Sequence, residues 1–226
     1  MDTVGKLYIV PTPIGNLQDI TLRAIAILKI VDYIAVEDTR ITNILLKTYG
    51  IQTPMISYHQ HNEDYQASHI IKLIKEGKNV AIVSDAGTPG ISDAAYTVVN
   101  AAIENQIVVE TLPGPVAFIP ALINSGFPTH RFCFEGFLPL KKGRKARWAE
   151  LQNETRTIVL YESPHRLLKT LREIEIYLGK TVRVSVSREI SKVFEQTIRG
   201  NITELIEHFE QHPPKGEFVI VIHKTE

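Results

Sequence analysis

The chain has 226 residues, 44% of them hydrophobic and 22% charged, and its 25 basic and 25 acidic side chains give a formal net charge of zero. This composition is typical of a folded globular protein of one or two domains and excludes extended disorder. A zero net charge also excludes a globally basic nucleic-acid-binding protein, so any polyanion must be bound by a local basic patch.

The sequence carries no signal for export, for a membrane or for a metal. No apolar run approaches the roughly 18 residues of a membrane span, and the N-terminus lacks a secretory signal, so we expect a cytoplasmic protein with no membrane partner. Cys133 is the only cysteine, and its setting in RFCFEGF predicts a buried structural thiol in a strand. His59 and His61 lack a third ligand at a helical spacing, and no metal site is predicted.

Short apolar runs alternate with helical patterns through the first half of the chain. The predicted strands are 7–10, 33–36, 55–58, 80–83 and 107–111, and the predicted helices are 21–30, 41–49, 64–76 and 93–105. Because strands that alternate with helices form parallel sheets, we predict an N-terminal parallel-sheet α/β domain over 1–115.

The pattern changes after Pro115, and a second α/β domain is predicted over 116–226. A helix over 116–124 precedes strands at 131–134, 157–160, 182–187, 195–199 and 218–222. Ser163 and Pro164 predict the N-cap and first position of a helix that ends at Leu178, and Asn201 is predicted to cap the last helix.

Three loops rich in glycine and proline follow predicted strands: PTPIGN at 11–16, SDAGTPGISD at 84–93 and LPGP at 112–115. Glycine lets the backbone approach a ligand closely, proline fixes φ, and ligands of open parallel sheets bind at strand ends. The loops therefore predict a cofactor site; the alternative is ordinary turns between strands and helices. The sequence lacks a phosphate-binding loop, a G-x-G-x-x-G and a G-x-S-x-G motif, which disfavours a nucleoside triphosphatase, a Rossmann dehydrogenase and a serine acyltransferase.

Seven motifs occur in the order seen in one family: PTPIGNLQDIT, AVEDTR, VSDAGTPGISD, LPGP, YESPHR, SREISK and KGEFVIVI. From residue 7 to residue 222 the chain closely resembles the small-subunit ribosomal RNA (cytidine-2′-O)-methyltransferases of the tetrapyrrole methylase superfamily. The resemblance implies two α/β domains of the tetrapyrrole methylase type with the cofactor cleft between them, and a homodimer. It also implies that S-adenosylmethionine is the cofactor and that the acceptor is a cytidine ribose in the decoding region of small-subunit ribosomal RNA.

The resemblance also assigns cofactor contacts to the three loops and to the second domain. The implied cofactor-binding residues are Pro13, Ile14, Asp85, Ala86, Gly87, Thr88, Ile91, Val116, Ala117, Tyr161 and Glu217. Small and apolar residues suit such a cofactor, because its amino acid end needs backbone partners and its adenine needs apolar walls. Asp85 has a structural alternative, which is to cap the helix that begins near Ser92.

Methyl transfer to a ribose hydroxyl needs in-line alignment and a group that takes or orients the hydroxyl proton. The candidate catalytic residues are Asp38 in AVEDTR, and Glu189 and Lys192 in SREISK. Each has a structural alternative: Asp38 pairs with Arg40 or caps the helix after it, Glu189 pairs with Arg188, and Lys192 is solvated.

The segment KKGRKAR at 141–147 carries five positive side chains in seven residues and is followed by Trp148, which either stacks on a base or packs internally. It is the candidate RNA-binding segment, and its alternative is a solvated face. The candidate RNA-binding residues are Lys141, Lys142, Arg144 and Lys145.

The chain departs from the family pattern at a few positions. Ala94 and Ala95 stand where proline and glycine are usual, and Gln196 replaces a common acidic residue. Many members also carry a C-terminal extension, and we expect RNA contacts of that extension to be absent here. Two alternative functions stay open: a tetrapyrrole (corrinoid precursor) C-methyltransferase, which the PTPIGN and SDAGTP forms disfavour, and a non-catalytic cofactor-binding ribosome-assembly factor.

Overall fold

The structure, a computed structural model, describes residues 4–59 and 63–224. The chain divides into two compact units, Met1–Val116 and Ala117–Glu226, and each unit contains a five-stranded sheet. The first unit contains β1 Leu7–Ile9, α1 Leu22–Ile30, β2 Tyr33–Val36, α2 Thr39–Thr48, β3 Met55–Ser57, α3 Glu63–Lys75, β4 Val80–Ile82, α4 Ala95–Glu104 and β5 Val109–Thr111. The second unit contains α5 Phe118–Ser125, β6 Phe132–Phe137, α6 Arg144–Leu151, β7 Thr157–Glu162, α7 Leu167–Leu178, β8 Arg183–Arg188, β9 Gln196–Asn201, α8 Ile202–Gln211 and β10 Phe218–His223.

The sheet of the first unit is entirely parallel, in the order β3-β2-β4-β1-β5. The central strands β1, β2 and β4 are largely buried on both faces, which is why they are short apolar runs, whereas the edge strands β3 and β5 are partly exposed. Leu7 and Val80 pack with α3 and α4 on one face, whereas Ile34 and Ala81 pack with α1 and α2 on the other. The predicted parallel α/β architecture is confirmed.

The sheet of the second unit is mixed, in the order β6-β7-β10-β8-β9. Only β6 and β7 are parallel; the other neighbours are antiparallel. Residues of α6, α7 and α8 form its main core with Ile158, Val184 and Ile220. Trp148 is fully buried in this core, and its indole N–H donates to Glu173 at 3.0 Å. Trp148 therefore packs internally and is not available to stack on a base.

The start of α7 differs from the prediction. The helix begins at Leu167, and Ser163 does not cap it. Instead the carbonyl of Ser163 accepts from the N–H groups of Arg166 and Leu167, both at 3.1 Å, so 163–166 form a separate turn. The carboxylate of Glu162 accepts from the N–H of Ser163 at 2.7 Å, and this bond holds the turn against the end of β7.

Asn201 caps α8 as predicted. Its side-chain oxygen accepts from the N–H of Glu204 at 3.0 Å, and the Glu204 carboxylate accepts from the N–H of Asn201 at 3.0 Å. This reciprocal pair is a capping box, which satisfies two N–H groups that the helix itself leaves unpaired.

We expect Asn201→Ala to lower the free energy of unfolding by about 1 kcal/mol, because the cap is lost. Urea unfolding followed by circular dichroism measures the change. Asn153→Ala is the matched control, since Asn153 is exposed beyond the end of α6. Equal unfolding free energies for the two variants would show that the capping box contributes nothing.

Candidate functional site

The three glycine- and proline-rich loops lie together at one edge of the first sheet. Parallel strands end on the same edge, and β4, β1 and β5 are neighbours in the sheet. Thr12 and Gly87 exchange two backbone hydrogen bonds of 2.9 and 3.0 Å, and the hydroxyl of Thr88 donates to the carbonyl of Pro115 at 2.8 Å. The first loop is thus bonded to the second, and the second to the third.

Two glycines permit the close contacts between these loops. A Cβ on Gly114 would lie 2.4 Å from the Cβ of Pro11, a distance that a side chain cannot adopt. Gly87 has φ +86°, and a Cβ there would lie 3.4 Å from Ile14. Gly87 is favoured by its backbone angle and Gly114 by its proximity to Pro11, so the loops form a compact edge made largely of backbone.

Asp85 joins the second loop to the end of β2. Its carboxylate accepts from the N–H of Asp38 at 3.0 Å. Burial raises the pKa of Asp85, and the charge of Asp38 adds to this effect. The predicted alternative, that Asp85 caps the next helix, is wrong: the Asp93 carboxylate accepts from the N–H groups of Gly90 and Ala95 at 2.6 and 2.9 Å at the start of α4.

Asp38 has both of the structural roles that were predicted as alternatives to a catalytic role. Its carboxylate caps α2 by accepting from the N–H of Arg40 at 2.8 Å, and it forms an ion pair with the Arg40 guanidinium at 2.6 Å. These bonds hold the pKa of Asp38 at about 2. A carboxylate of such low pKa is a poor proton acceptor at neutral pH, so the catalytic role of Asp38 stays a prediction that its contacts disfavour.

The sequence indicates Glu37 beside Asp38 as a carboxylate after the second strand, but it does not indicate the acidic depression beside these loops that Glu37 lines. The lining of the depression includes Glu37, Tyr58, Ser84, Pro89 and Asp93. Burial raises the pKa of Glu37, and the charges of Asp85 and Asp93 raise it further. The signal for the position of Glu37 was present in the sequence, since this residue directly follows β2 at the same sheet edge as the loops.

In the second unit, Glu189, Lys192 and Glu217 form one polar cluster. The Lys192 ammonium lies 3.0 Å from a carboxylate oxygen of Glu189 and 3.0 Å from one of Glu217. The N–H of Glu217 also donates to the Glu189 carboxylate at 3.0 Å. Glu189 therefore binds Lys192 rather than Arg188, and Lys192 is not simply solvated, so both predicted alternatives are wrong.

The charges in this cluster are stabilised by one another. Burial raises the pKa of Glu189, but the hydrogen bonds from Lys192 and from the N–H of Glu217, together with nearby positive charge, outweigh burial and leave the pKa below its ordinary value. Burial lowers the pKa of Lys192, but the carboxylates of Glu217 and Glu189 outweigh it and raise the pKa. Glu189 is thus an anion and Lys192 a cation at neutral pH, and Lys192 is unsuited to accept a proton.

The backbone around Glu189 is strained. Glu189 and Ser191 have φ of 50° and 67°, in the left-handed region that favours glycine. Opposite them, Gly216 has φ +93°, and a Cβ there would lie 2.5 Å from the Glu189 side chain. Such strain persists only where surrounding contacts fix it, and here the ion pairs of Lys192 do so.

Tyr161 lies in β7, where its ring contacts that of Phe134 with centroids 5.0 Å apart. Burial raises the pKa of Tyr161 to about 12, so its phenol is neutral at physiological pH. Val116 and Ala117, the remaining predicted contacts after LPGP, are both half-buried. Tyr161 is thus a neutral side chain packed against an aromatic neighbour.

The predicted RNA-binding segment divides into buried and exposed residues, and Arg144 must be removed from the RNA-binding set. Arg144 is only 4% exposed; its guanidinium lies 2.6 Å from Glu173 and donates to the Thr170 hydroxyl at 2.7 Å and to the Pro139 carbonyl at 3.1 Å. The reason is that α6 directs Arg144 to the face that carries Trp148 and Leu151. The exposed candidates that remain are Lys141, Lys142 and Lys145.

Other expectations concern metals, membranes and Cys133. Within 4–59 and 63–224, no group of three or more histidine, cysteine, aspartate or glutamate side chains is arranged to hold a metal ion. His61 lies outside the described residues. In the same part of the chain, every helix is too short or too polar to cross a membrane. Cys133 is in β6 as predicted but only half-buried, and burial raises the pKa of its thiol to about 11.

Comparison with known proteins identifies the family. Residues 6–206 match the family described as Tetrapyrrole (Corrin/Porphyrin) Methylases. The chain belongs to the tetrapyrrole methylase family. It is 49% identical over 220 residues to the ribosomal RNA small subunit methyltransferase I of Synechocystis sp., covering 97% of this chain and 79% of that protein. The protein of the same name from Thermotoga maritima is 47% identical, with 97% and 98% covered.

Solved structures agree on the fold of this tetrapyrrole methylase. A diphthine synthase superposes with a TM-score of 0.76 at 12% identity, covering 98% of this chain and 91% of that one. The uroporphyrin-III-C-methyltransferase from Thermus thermophilus superposes with a TM-score of 0.69 at 19% identity, covering 96% and 94%. At these identities the likeness concerns the fold alone, and the predicted fold class is confirmed.

We expect Arg144→Ala to lower the free energy of unfolding by about 2 to 3 kcal/mol, because Glu173 loses the guanidinium that lies 2.6 Å away, whereas the buried Glu162 keeps Arg166 at 2.9 Å. The neighbouring Lys145→Ala is the control and should change it by less than about 0.5 kcal/mol, since Lys145 is exposed. Urea unfolding of both variants makes the measurement. Similar values for the two would contradict a structural role for Arg144.

We expect Asp85→Asn to become more stable relative to the natural protein as the pH rises from about 3 to 7. The folded state holds the Asp85 proton more tightly than the unfolded chain, so the natural protein loses stability as pH rises from the ordinary aspartate pKa, about 3.9, through the raised one. Asparagine keeps an oxygen for the N–H of Asp38 but does not titrate.

Asp38→Asn is the matched control for Asp85→Asn. The lowered pKa of Asp38 stabilises the natural protein above the ordinary aspartate pKa, and this stability is lost as pH falls toward about 2. Asp38→Asn lacks this contribution, so it should become less stable relative to the natural protein as pH rises. Urea titrations at several pH values measure both differences. If the two stability differences changed in the same direction with pH, they would contradict a raised pKa for Asp85 and a lowered pKa for Asp38.

Proposed function

We propose that this tetrapyrrole methylase is a cytoplasmic, homodimeric methyltransferase that uses S-adenosylmethionine to methylate small-subunit ribosomal RNA. The observation that carries the proposal is the 44% to 49% identity, over nearly the whole chain, to proteins named ribosomal RNA small subunit methyltransferase I. The motif resemblance from PTPIGNLQDIT to KGEFVIVI supports the finer proposal that the acceptor is a cytidine ribose 2′-hydroxyl in the decoding region.

The loops of the first unit fit the proposed cofactor. Their edge is rich in backbone groups, since Gly87 and Gly114 bring the chain segments together without side chains between them. Ile14 and Val116 are half-buried and offer apolar surface for an adenine, and Asp85 is an acceptor for hydroxyl or ammonium groups. S-adenosylmethionine, when bound, supplies an activated methyl group.

We propose cofactor contacts for all the loop residues named from the sequence and for two positions of the second unit. Pro13, Ala86 and Gly87 are proposed to contribute mainly backbone and Ile14 its apolar side chain, with Thr88 fixed by its bond to Pro115. The other proposed contacts are Asp85, Ile91, Val116, Ala117, Tyr161 and Glu217.

The polar cluster of the second unit is proposed to orient the acceptor. Lys192 is cationic and held by Glu189 and Glu217, which makes its ammonium a pre-positioned donor for a ribose or phosphate oxygen. Glu189 remains ionised beside it and is proposed to hold Lys192 in place. In this assignment Lys192 is the candidate catalytic residue and Glu189 a positioning residue.

The experiment that tests the function is incubation of the purified protein with methyl-labelled S-adenosylmethionine and unmethylated small ribosomal subunits, followed by nucleoside analysis. We expect label in 2′-O-methylcytidine. Transfer to a porphyrinoid instead would favour a tetrapyrrole C-methyltransferase, whose fold the chain shares. Cofactor binding by calorimetry without any transfer, beside an active control enzyme, would favour a non-catalytic ribosome-assembly factor.

We expect Lys192→Met to lower kcat by about 100-fold, because a pre-positioned donor is lost. The dissociation constant of S-adenosylmethionine, measured by calorimetry, should stay unchanged. Lys180→Met is the control, since Lys180 is exposed beyond the end of α7. An unchanged kcat would refute the catalytic assignment of Lys192, and a weaker cofactor affinity would reassign it to cofactor binding.

A further inference from the structure

The segment 137–145, which we call the strap, connects β6 to α6 and carries an unusual surface. Phe137 and Leu140 are 52% and 69% exposed, and Lys141, Lys142 and Lys145 are exposed beside them. A single exposed apolar residue is common on proteins. An exposed ring next to three lysines is a combination that suits a partner with flat apolar faces and negative charge.

Two arginines hold the strap from beneath. Arg144 donates to the carbonyl of Pro139 at 3.1 Å, and Arg166 donates to the carbonyl of Leu138 at 3.3 Å. Leu138 itself is only 3% exposed and belongs to the main core of the second unit. The strap is therefore fixed at its centre, and its backbone needs little ordering when a partner binds.

The positive charge of the strap is not neutralised locally. Arg147 pairs with Glu135 and Glu150, and Arg144 pairs with Glu173, so the nearby carboxylates are already occupied. The sequence from 136 to 149 contains no acidic residue. Across the described part of the chain, no carboxylate forms an ion pair with Lys141, Lys142 or Lys145. Their charges are thus available to a polyanion.

Phe137 is the exposed end of a row of aromatic rings. Phe118 stacks on Phe134 with centroids 4.4 Å apart, Phe134 contacts Tyr161 at 5.0 Å, and Tyr161 contacts Phe137 at 5.6 Å. The guanidinium of Arg166 lies 6.0 Å from the Phe137 ring. The ring is supported on one side by these neighbours and open on the other, next to the candidate cofactor residue Tyr161.

We infer that the strap binds a single-stranded segment of the RNA substrate: Phe137 stacks on an unpaired base, and Lys141, Lys142 and Lys145 contact the flanking phosphates. The inference rests on the proposed function for the identity of the RNA. A base must leave its duplex to stack on a side chain, and an acceptor ribose must leave it to reach an enclosed methyl donor, so the same unpaired nucleotides satisfy both needs.

The test uses the full chain and unmethylated small ribosomal subunits in filter-binding titrations between about 50 and 200 mM KCl. The triple variant Lys141→Ala, Lys142→Ala, Lys145→Ala should reduce the slope of log affinity against log salt by up to about 2, at about 0.7 for each lost single-strand phosphate contact. The matched control replaces Lys29, Lys47 and Lys180 with alanine. It has the same charge change at three exposed positions outside the strap and should keep the natural slope.

Phe137→Leu separates stacking from charge. Leucine keeps apolar surface but cannot stack, so affinity should fall about 5- to 100-fold at every salt concentration with an unchanged slope. Phe137→Tyr should restore the affinity. Thermal unfolding of each variant confirms that the fold is retained, since Phe137 is half exposed.

Each outcome decides one point. Variants that bind and methylate as the natural protein does would overturn the strap inference and leave the proposed function intact. Natural protein that binds subunits through the strap but leaves no label in 2′-O-methylcytidine would overturn the proposed function and support the strap. The inference would also be overturned if the triple variant lost affinity for polyglutamate as strongly as for RNA while Phe137→Leu changed neither affinity. That result would assign the strap to acidic polypeptides.

Discussion

The close approach of Gly114 to Pro11 is the constraint on which the candidate cofactor edge depends. It brings the loop after β5 against the loop after β1, and the Thr12 and Gly87 bonds bring in the loop after β4. Loop backbone that lies this close must satisfy its own polar groups, and here neighbouring loops satisfy one another. The resulting edge is fixed before any ligand arrives, which lowers the ordering cost of binding.

The basic segment illustrates how one stretch of sequence serves both the core and the surface. Arginine's planar guanidinium binds several oxygens at once and is weakly hydrated, so Arg144 tolerates burial between Glu173, Thr170 and a backbone carbonyl. Lysine's ammonium is strongly hydrated, and the lysines of the segment stay outside. The buried arginine fixes the backbone from which the exposed lysines project.

The fold was largely predictable from the sequence because its strands are short apolar runs and its helices alternate with them. Every predicted strand lies within a few residues of an observed one, and the signal is strongest for central strands such as β4 and β10, whose burial leaves a continuous apolar run. The sequence also held a sign that Arg144 is buried: Trp148 and Leu151 follow it at four and seven residues, which is one face of a helix.

The hydrogen-bond and ion-pair partners of the acidic side chains could not be predicted from neighbouring sequence positions. Glu189 follows Arg188 directly, but successive strand residues point to opposite faces, and the turn at Glu189 directs its carboxylate to Lys192 and to the N–H of Glu217. Asp93, not Asp85, accepts at the start of α4, because the Asp85 carboxylate in the loop after β4 is bonded to the N–H of Asp38 after β2. These pairings depend on strand order, which no local pattern encodes.

The carboxylates at these two candidate sites are of two kinds, which differ in the direction of their pKa shift. Asp38 and Glu189 have cationic partners that lower their pKa, so each contributes to the fold when ionised. Asp85 and Glu37 lie where burial and neighbouring carboxylates raise the pKa, and their charges oppose folding. A group held against its own electrostatic preference points to a ligand rather than to stability. That contrast favours the loop edge of the first unit, and Asp85 within it, as a place where a cofactor binds.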